Sequence, residues 1–166
     1  MNNMYKTGDV IWIDGTVGSV KRAGWLNTLI RMSDDKVVRW PNTAISGAKV
    51  ANLTRTEQSQ VTQTLYIVYD DWKKLSKLSE DILESIRENV PEAVLDGRRP
   101  ARAQWREIKK PCLEFVVDLH FDQRPACNEY YEMRQRVLQC TMESCEANKI
   151  RFFNEDMIGK AGWIFD

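Results

Sequence analysis

Short apolar runs separated by glycines and acidic pairs dominate the first third of the chain. Residues 10–13 form a β-rich run that ends at Asp14-Gly15, a pair that favours a two-residue hairpin turn. Further strands are predicted at the apolar or alternating runs of residues 17–20, 26–32 and 36–40. Strands of this length, with glycine and aspartate at their ends, predict a small antiparallel sheet that curls into a barrel.

The hydrophobic pattern changes after the polar residues 57–60, which we interpret as a linker. A β-branched and aromatic strand is predicted over residues 63–69, and Asp70-Asp71 after it is typical of a helix start. Two long apolar stripes at helical spacing follow. The first consists of Trp72, Leu75, Leu78, Ile82, Leu83, Ile86 and Val90, and the second, after Pro125, of Cys127, Tyr130, Tyr131, Val137, Leu138, Met142 and Cys145.

The remaining strands of the second half are predicted over residues 103–108, 113–121 and 150–153. The resulting order, β-α-β-β-α-β, is that of a ferredoxin-like domain, in which two helices cover one face of a four-stranded antiparallel sheet. We therefore predict an α+β protein with three parts. These are a β domain over residues 1–60, a ferredoxin-like α/β domain over 61–153 and a tail over 154–166, where Trp163-Ile164-Phe165 is a candidate strand that pairs outside the chain.

Charge and hydropathy exclude several classes of protein. The 166 residues carry zero formal net charge, so no overall field attracts nucleic acid or anionic lipid. Residues 1–60 are mildly basic, with eight Lys and Arg against five Asp and Glu. The longest apolar run, residues 65–69, is far shorter than the roughly 20 residues of a membrane helix, and no signal peptide precedes it. The chain as written is expected to be soluble.

Candidate chemistry is sparse. The four cysteines form no CxxC pair and His120 is the only histidine, so we predict reduced thiols and no zinc site. His120 lies between Asp118 and Asp122 on one strand face, which we interpret as a solvated or cross-strand-paired row. Gly15-Thr-Val-Gly18 lacks a phosphate-binding motif. The basic stretch 98–102 is interpreted as a solvated loop, with an anion or protein contact as the alternative.

These observations predict a protein that is not an enzyme and has no catalytic, cofactor-binding or metal-binding residues. An enzyme on the ferredoxin-like half would depend on His120 alone.

Four short motifs, in order, resemble the β domain of MscS-like mechanosensitive channels. They are Tyr5 to Val20 with its Gly-Asp and Gly-x-Val-Gly, the strand at residues 29–32, the strand that ends at Pro41-Asn42, and Asn52-Leu-Thr-Arg55. The motif residues carried over by the resemblance are Gly8, Asp9, Gly15, Val17, Gly18, Arg31, Pro41, Asn42, Asn52 and Arg55. Met32, Asp35, Trp40 and Thr43 depart from the family pattern.

The resemblance implies an Sm-like β barrel followed by the family's ferredoxin-like domain. It implies the cytoplasmic vestibule portion of a channel subunit, assembled with its copies into a ring, commonly of seven, beneath the pore. The membrane helices are missing from this chain, so we expect the piece of a longer channel that lies on the cytoplasmic side of a membrane, or on the matrix or stroma side in an organelle. Pro41-Asn42 is expected to end a strand and turn the chain outward.

An Sm-like ring that binds RNA is the alternative, because its barrel is similar and residues 1–60 are mildly basic. No aromatic RNA-binding motif is visible on the central strands of the second half, so we expect no nucleic-acid partner. Titration of an oligonucleotide at low salt separates the two functions, because RNA binders hold the phosphate backbone most tightly there.

Overall fold

A computed structural model describes residues 4–154, which form two compact units. The first unit contains residues 4–58 with 124–127, and the second contains residues 59–123 with 128–154. The domain bounds 1–60, 61–153 and 154–166 stay predictions, and the candidate strand at residues 163–165 lies outside the described part of the chain.

The first unit is a five-stranded antiparallel sheet with one short helix. Its elements are β1 (Val10–Ile13), β2 (Thr16–Ala23), β3 (Asn27–Met32), β4 (Val37–Pro41), α1 (Asn42–Gly47) and β5 (Val50–Asn52). The strand order is β4-β3-β2-β1-β5, which is consistent with the Sm-like barrel. Its core consists of Ile11, Ile13, Val20, Ile30 and Ile45.

Two glycines of the first unit have the structural roles that the sequence predicts. Asp14 and Gly15 both have positive φ, 42° and 90°, as a two-residue hairpin turn requires. Gly18 lies where β2 and β3 approach closely, since a Cβ added there would lie 2.5 Å from Cγ2 of Ile30. Neither glycine belongs to a phosphate-binding loop.

The strand ends at Pro41, as predicted, and the chain continues directly into α1. Pro41 ends β4 in an extended conformation and also occupies the cap position of the helix. Proline suits both roles, since its fixed φ is compatible with an edge strand and with a helix start. The short helix then buries Ile45 in the core of the unit.

The second unit has the first five elements, β-α-β-β-α, of the order that the hydrophobic pattern predicts. Its elements are β6 (Ser59–Ile67), a 3-10 helix (Tyr69–Lys74) that leads into α2 (Leu75–Asn89), β7 (Arg102–Ile108), β8 (Leu113–Phe121) and α3 (Asn128–Ala147). The sheet order is β6-β8-β7, with antiparallel pairing. Phe152 adds an antiparallel bridge to Ile67, so the predicted fourth strand is reduced to a single bridge within the described residues.

The central strand β8 carries the core of the second unit. Phe115, Val117, Leu119 and Phe121 on one of its faces are fully buried. They belong to one core with residues of α2 and α3: Leu75, Leu78, Ile82, Ile86, Met133, Val137, Cys140 and Cys145. The helices therefore bury one face of the sheet, as a ferredoxin-like unit requires.

Three details predicted for the second unit are wrong. Residues 57–60 are not all linker, because Ser59 and Gln60 already pair with β8. Trp72 is exposed and lies in the 3-10 helix before α2, so it does not belong to the buried stripe of that helix. The stripe of α3 is displaced, since Tyr131 and Met142 are exposed while Met133 and Cys140 are buried.

None of the helices within residues 4–154 is both long enough and apolar enough to cross a membrane.

Candidate functional site

The first group of motif residues forms a polar clasp between the start and the end of the first unit. Asp9 is almost fully buried, and its carboxylate accepts hydrogen bonds from Asn52 Nδ2 at 2.7 Å and from the Lys6 amide at 3.0 Å. The Arg55 guanidinium lies 3.9 Å from the same carboxylate. The hydrogen bond from Asn52 is the main cause that holds the pKa of Asp9 below its usual value, against the effect of burial. We call this group the Asp9–Asn52 clasp.

Backbone hydrogen bonds place both halves of the clasp against the sheet. The Gly8 amide, at a φ of 96°, donates to the Val20 carbonyl, and the Val20 amide donates to the Asp9 carbonyl, both at 2.8 Å. On the other side, the Val10 amide donates to Thr54 Oγ1 at 2.8 Å. The segment after β5 therefore packs along β1. This contact brings together the Gly-Asp and Asn-x-x-Arg motifs, which are far apart in sequence.

The second group is centred on Asn42 and holds the connection between β2 and β3. Nδ2 of Asn42 donates to the carbonyls of Gly24 at 2.9 Å and Trp25 at 2.8 Å. Oδ1 of Asn42 accepts a hydrogen bond from Thr28 Oγ1 at 2.9 Å, and Thr28 Oγ1 lies 3.2 Å from the Tyr5 hydroxyl. Thr28 is only 1% exposed. We call this group the Asn42 bracket.

The remaining motif residues do not join these groups. Gly15 and Gly18 shape the β2 hairpin, Val17 is partly buried on β2, and Arg31 is half-exposed, 4.0 Å from Asp35. The identification of all ten residues as the family motif stays a prediction. The structure shows that those at Asp9, Asn42, Asn52 and Arg55 contribute polar contacts within one unit.

The sheet of the first unit has two unlike free edges. Within the described residues, β4 pairs only with β3, and β5 pairs only with β1. Because the Met32 amide bonds to the Lys36 carbonyl, the antiparallel alternation directs the backbone groups of Val37 and Arg39 away from β3. Pro41 has the same parity, so its missing N–H lies on the free side. Val37 and Val38 are 55% and 37% exposed on this edge.

The candidate chemistry around His120 is held by ordinary structural contacts. Nδ1 of His120 lies 2.9 Å from the Pro100 carbonyl. Asp118 accepts hydrogen bonds from Gln60 Nε2 at 2.6 Å and from Thr62 Oγ1 at 3.1 Å. Asp122 forms an ion pair with Arg98 at 2.9 Å. Asp118 is thus paired across the strands, as interpreted, while His120 and Asp122 contact the loop before β7. Residues 4–154 contain no cluster of three or more His, Cys, Asp or Glu that could hold a metal ion.

Sequence reasoning missed a buried ion pair of the second unit that joins residues distant in the chain. Asp71, interpreted as part of a helix cap, is 2% exposed and accepts hydrogen bonds from the Arg151 amide at 2.8 Å and from the Arg151 guanidinium. Lys74 lies 2.8 Å away on the same carboxylate. Burial acts to raise the pKa of Asp71, but the hydrogen bonds from Lys74 and Arg151 outweigh it and lower the pKa to about 2. No local pattern links residues 71 and 151.

Comparison with known proteins identifies relatives of both units. Residues 1–55 match the family model described as mechanosensitive ion channel, β-domain. The chain is 26% identical over 123 residues to the small-conductance mechanosensitive channel MscMJ of Methanocaldococcus jannaschii, covering 71% of this chain and 34% of the relative. It is 26% identical over 91 residues to a small-conductance mechanosensitive channel of Helicobacter pylori, covering 52% of this chain and 33% of that protein. The chain thus spans about a third of the length of these curated relatives.

Solved structures share the fold of the chain. The cryo-EM structure of MSL1 from Arabidopsis thaliana matches with a TM-score of 0.77 at 20% identity, covering 92% of this chain and 54% of that one. The closed-state crystal structure of MscS from Helicobacter pylori matches with a TM-score of 0.76 at 19% identity, covering 92% and 58%. These matches and the sequence relatives confirm the resemblance inferred from the four ordered motifs. Residues 1–55 are thus similar to the β domain of mechanosensitive channels, and the chain, in which an α/β unit follows the β domain, has the fold of the matched parts of the MSL1 and MscS structures.

Proposed function

We propose that this chain is the vestibule portion of a mechanosensitive channel subunit, on the cytoplasmic side of its membrane or the corresponding matrix or stroma side. In this proposal copies of the chain form a ring, of seven subunits in the whole channel, beneath a pore built by membrane helices outside this sequence. The α/β units enclose the vestibule through which ions and solutes reach the pore. The relatives are ion channels, and accordingly we assign the chain no enzymatic role.

The observation that carries the proposal is the pair of unlike free edges on a unit that matches the channel β-domain. An exposed edge strand with apolar side chains tends to pair with another chain unless something covers it. Contact between β4 of one copy and β5 of the next is head-to-tail, and such a contact closes into a ring when the rotation between copies allows. Two-fold pairing of β4 with β4 would produce only dimers.

Site-specific cross-linking tests this arrangement. In a Cys127→Ser background, we would place one cysteine on each edge, Val37→Cys and Ala51→Cys, and treat the protein with a short bismaleimide. Val37 and Ala51 are both exposed. Each single variant has one reactive edge and is expected to give at most dimers, whereas the double variant should give a ladder that ends at a closed ring.

The same single variants act as matched controls for random collision, which gives dimers of either single variant. Random collision of the double variant also lengthens the chain of cross-linked copies, so the diagnostic result is a ladder that stops at one closed species. The native cysteines that remain, Cys112, Cys140 and Cys145, are buried. The measurement is made at the highest concentration at which the protein does not aggregate. Cross-linking of the double variant that stops at dimers there would contradict the head-to-tail ring.

The Sm-like RNA-binding alternative is supported by the strand order of the first unit, which an Sm-like barrel shares, and by the mildly basic charge of residues 1–60. The relatives are described as channels, so we keep the channel function as the proposal.

A further inference from the structure

The β2–β3 connection presents the two most exposed large apolar side chains of the described residues. Trp25 is 83% exposed and Leu26 is 70% exposed, and they are adjacent in sequence. An isolated exposed leucine is ordinary, but a neighbouring tryptophan and leucine at the end of a hairpin form a concentrated apolar point. We call this pair the Trp25–Leu26 tip.

The Asn42 bracket holds the tip in one shape. The carbonyls of Gly24 and Trp25 accept hydrogen bonds from the Asn42 side chain, and the carbonyl of Leu26 accepts one from the Asn42 amide at 2.9 Å. The Gly24 amide donates across the connection to the Asn27 carbonyl at 2.9 Å. The backbone is therefore tied down on the inside of the turn while both side chains remain in solvent, so little ordering is needed before the tip binds a surface.

The charged residues on β2, β3 and β4 all have one sign. Between Gly15 and Ser33 the chain has no acidic residue, while Lys21 and Arg22 are exposed on β2 near the tip. Arg39 is exposed on β4 beside Leu29. The acidic residues Asp34 and Asp35 lie in the β3–β4 turn, at the opposite end of the strand β3.

We propose that the Trp25–Leu26 tip inserts into the interfacial layer of a bilayer that contains anionic lipid. Tryptophan favours the headgroup region, where its ring is apolar and its N–H stays hydrated, and leucine adds buried apolar area. Lys21, Arg22 and Arg39 would then face anionic headgroups. A tip-to-tip contact with a second copy fits less well, because it would bring the same cationic end against this one.

This site is additional to the proposed vestibule function and does not depend on it, because binding is measured on the chain itself. The full 166-residue chain would be floated with vesicles of phosphatidylcholine alone, and with vesicles of phosphatidylcholine and phosphatidylglycerol in equal amounts. The test variant is Trp25→Ser/Leu26→Ser. Its matched control is Trp72→Ser, which removes a tryptophan that is 53% exposed in the other unit.

The chain is expected to float with the anionic vesicles and only weakly with phosphatidylcholine. The tip variant should bind at least about tenfold more weakly, because the apolar anchor is lost, and the Trp72→Ser control should bind like the parent. Lys21→Ser/Arg22→Ser should weaken binding about fivefold for each cation removed. Brominated lipid should quench the parent's fluorescence more than that of Trp25→Phe, which keeps an apolar ring at the same place.

Three results would overturn the proposal, provided that the melting temperatures of the variants match the parent. One is no flotation of the parent chain with anionic vesicles. Another is equal flotation of the parent and the tip variant. The third is a tip variant that changes only self-association, measured by sedimentation velocity without vesicles, because the tip would then be a contact between proteins.

Discussion

Replacing Asn42 with alanine should loosen the first unit by about 2 kcal/mol. The change removes three side-chain hydrogen bonds, each with a net contribution of about 1 kcal/mol. Two of the partners, the carbonyls of Gly24 and Trp25, can bond to water instead, which reduces the loss. The third partner is Thr28, 1% exposed, which keeps only the Tyr5 hydroxyl at 3.2 Å. Alanine at the start of α1 has no helix-propensity cost.

The two units can unfold separately, so a single unfolding midpoint would not isolate this effect. Native-state hydrogen exchange read by mass spectrometry does isolate it, because it reports local opening. The amides of Gly24 and residue 42, which bond to the Asn27 and Leu26 carbonyls, should exchange about 30-fold faster in Asn42→Ala than in the parent. Asn89→Ala is the control, since it removes one exposed bond to the Ser85 carbonyl in α2 and should change stability by less than about 0.5 kcal/mol.

A double-mutant cycle shows whether the buried partner is responsible. Asn42→Ala and Thr28→Val should be coupled by at least about 0.5 kcal/mol, because each removes the same Oγ1–Oδ1 hydrogen bond. Exchange in Asn42→Ala that matches the parent, or additive effects of the two substitutions, would refute the reasoning.

Two further predictions concern the second unit and the β2 hairpin. The lowered pKa of Asp71 should contribute about 2 kcal/mol of stability, which is present above pH 3.8 and is lost as the pH falls toward 2. The difference in unfolding free energy between the parent and Asp71→Asn, measured in an acid titration, should therefore shrink over this range. A difference independent of pH would contradict the assignment. Gly18→Ala should destabilise the first unit by about 1–3 kcal/mol, because the new Cβ meets Cγ2 of Ile30 at 2.5 Å and the Arg31 carbonyl at 2.9 Å. Gly47→Ala, with nothing within 4 Å, is its control, and equal hydrogen exchange of the β2 and β3 amides in the two variants would rule out the close approach.

The parts of the fold that the sequence predicts are those determined by local chemistry. Asp14-Gly15 specifies a hairpin turn because both residues tolerate positive φ. The apolar spacing from Leu75 to Ile86 specifies one buried helix face, and α2 follows it. The order of strands and helices in the second unit could be predicted for the same reason.

The features that sequence reasoning missed depend on distant partners. Ser59 and Gln60 are polar and look like linker, yet β8 offers them backbone partners at Phe121 and His120, and ladder pairing does not depend on side-chain polarity. The same holds for the candidate site. The motif residues could be identified from their order in the sequence. The contact between the Asp9 carboxylate and Asn52, 43 residues apart, depends on the pairing of β1 with β5, which no local pattern specifies.

Pro41 also limits how a neighbouring strand can slide along β4. A strand that pairs with this edge finds donors at Val37 and Arg39, but none at the next position of the same parity. A slip of two residues toward the carboxyl end keeps every side chain on its own face, so the hydrophobic pattern alone would permit it. Such a slip would leave a carbonyl of the incoming strand opposite the proline without a donor, which disfavours it. Pro41 thus selects the register of pairing at this edge, while the exposed valines before it contribute the apolar contact area.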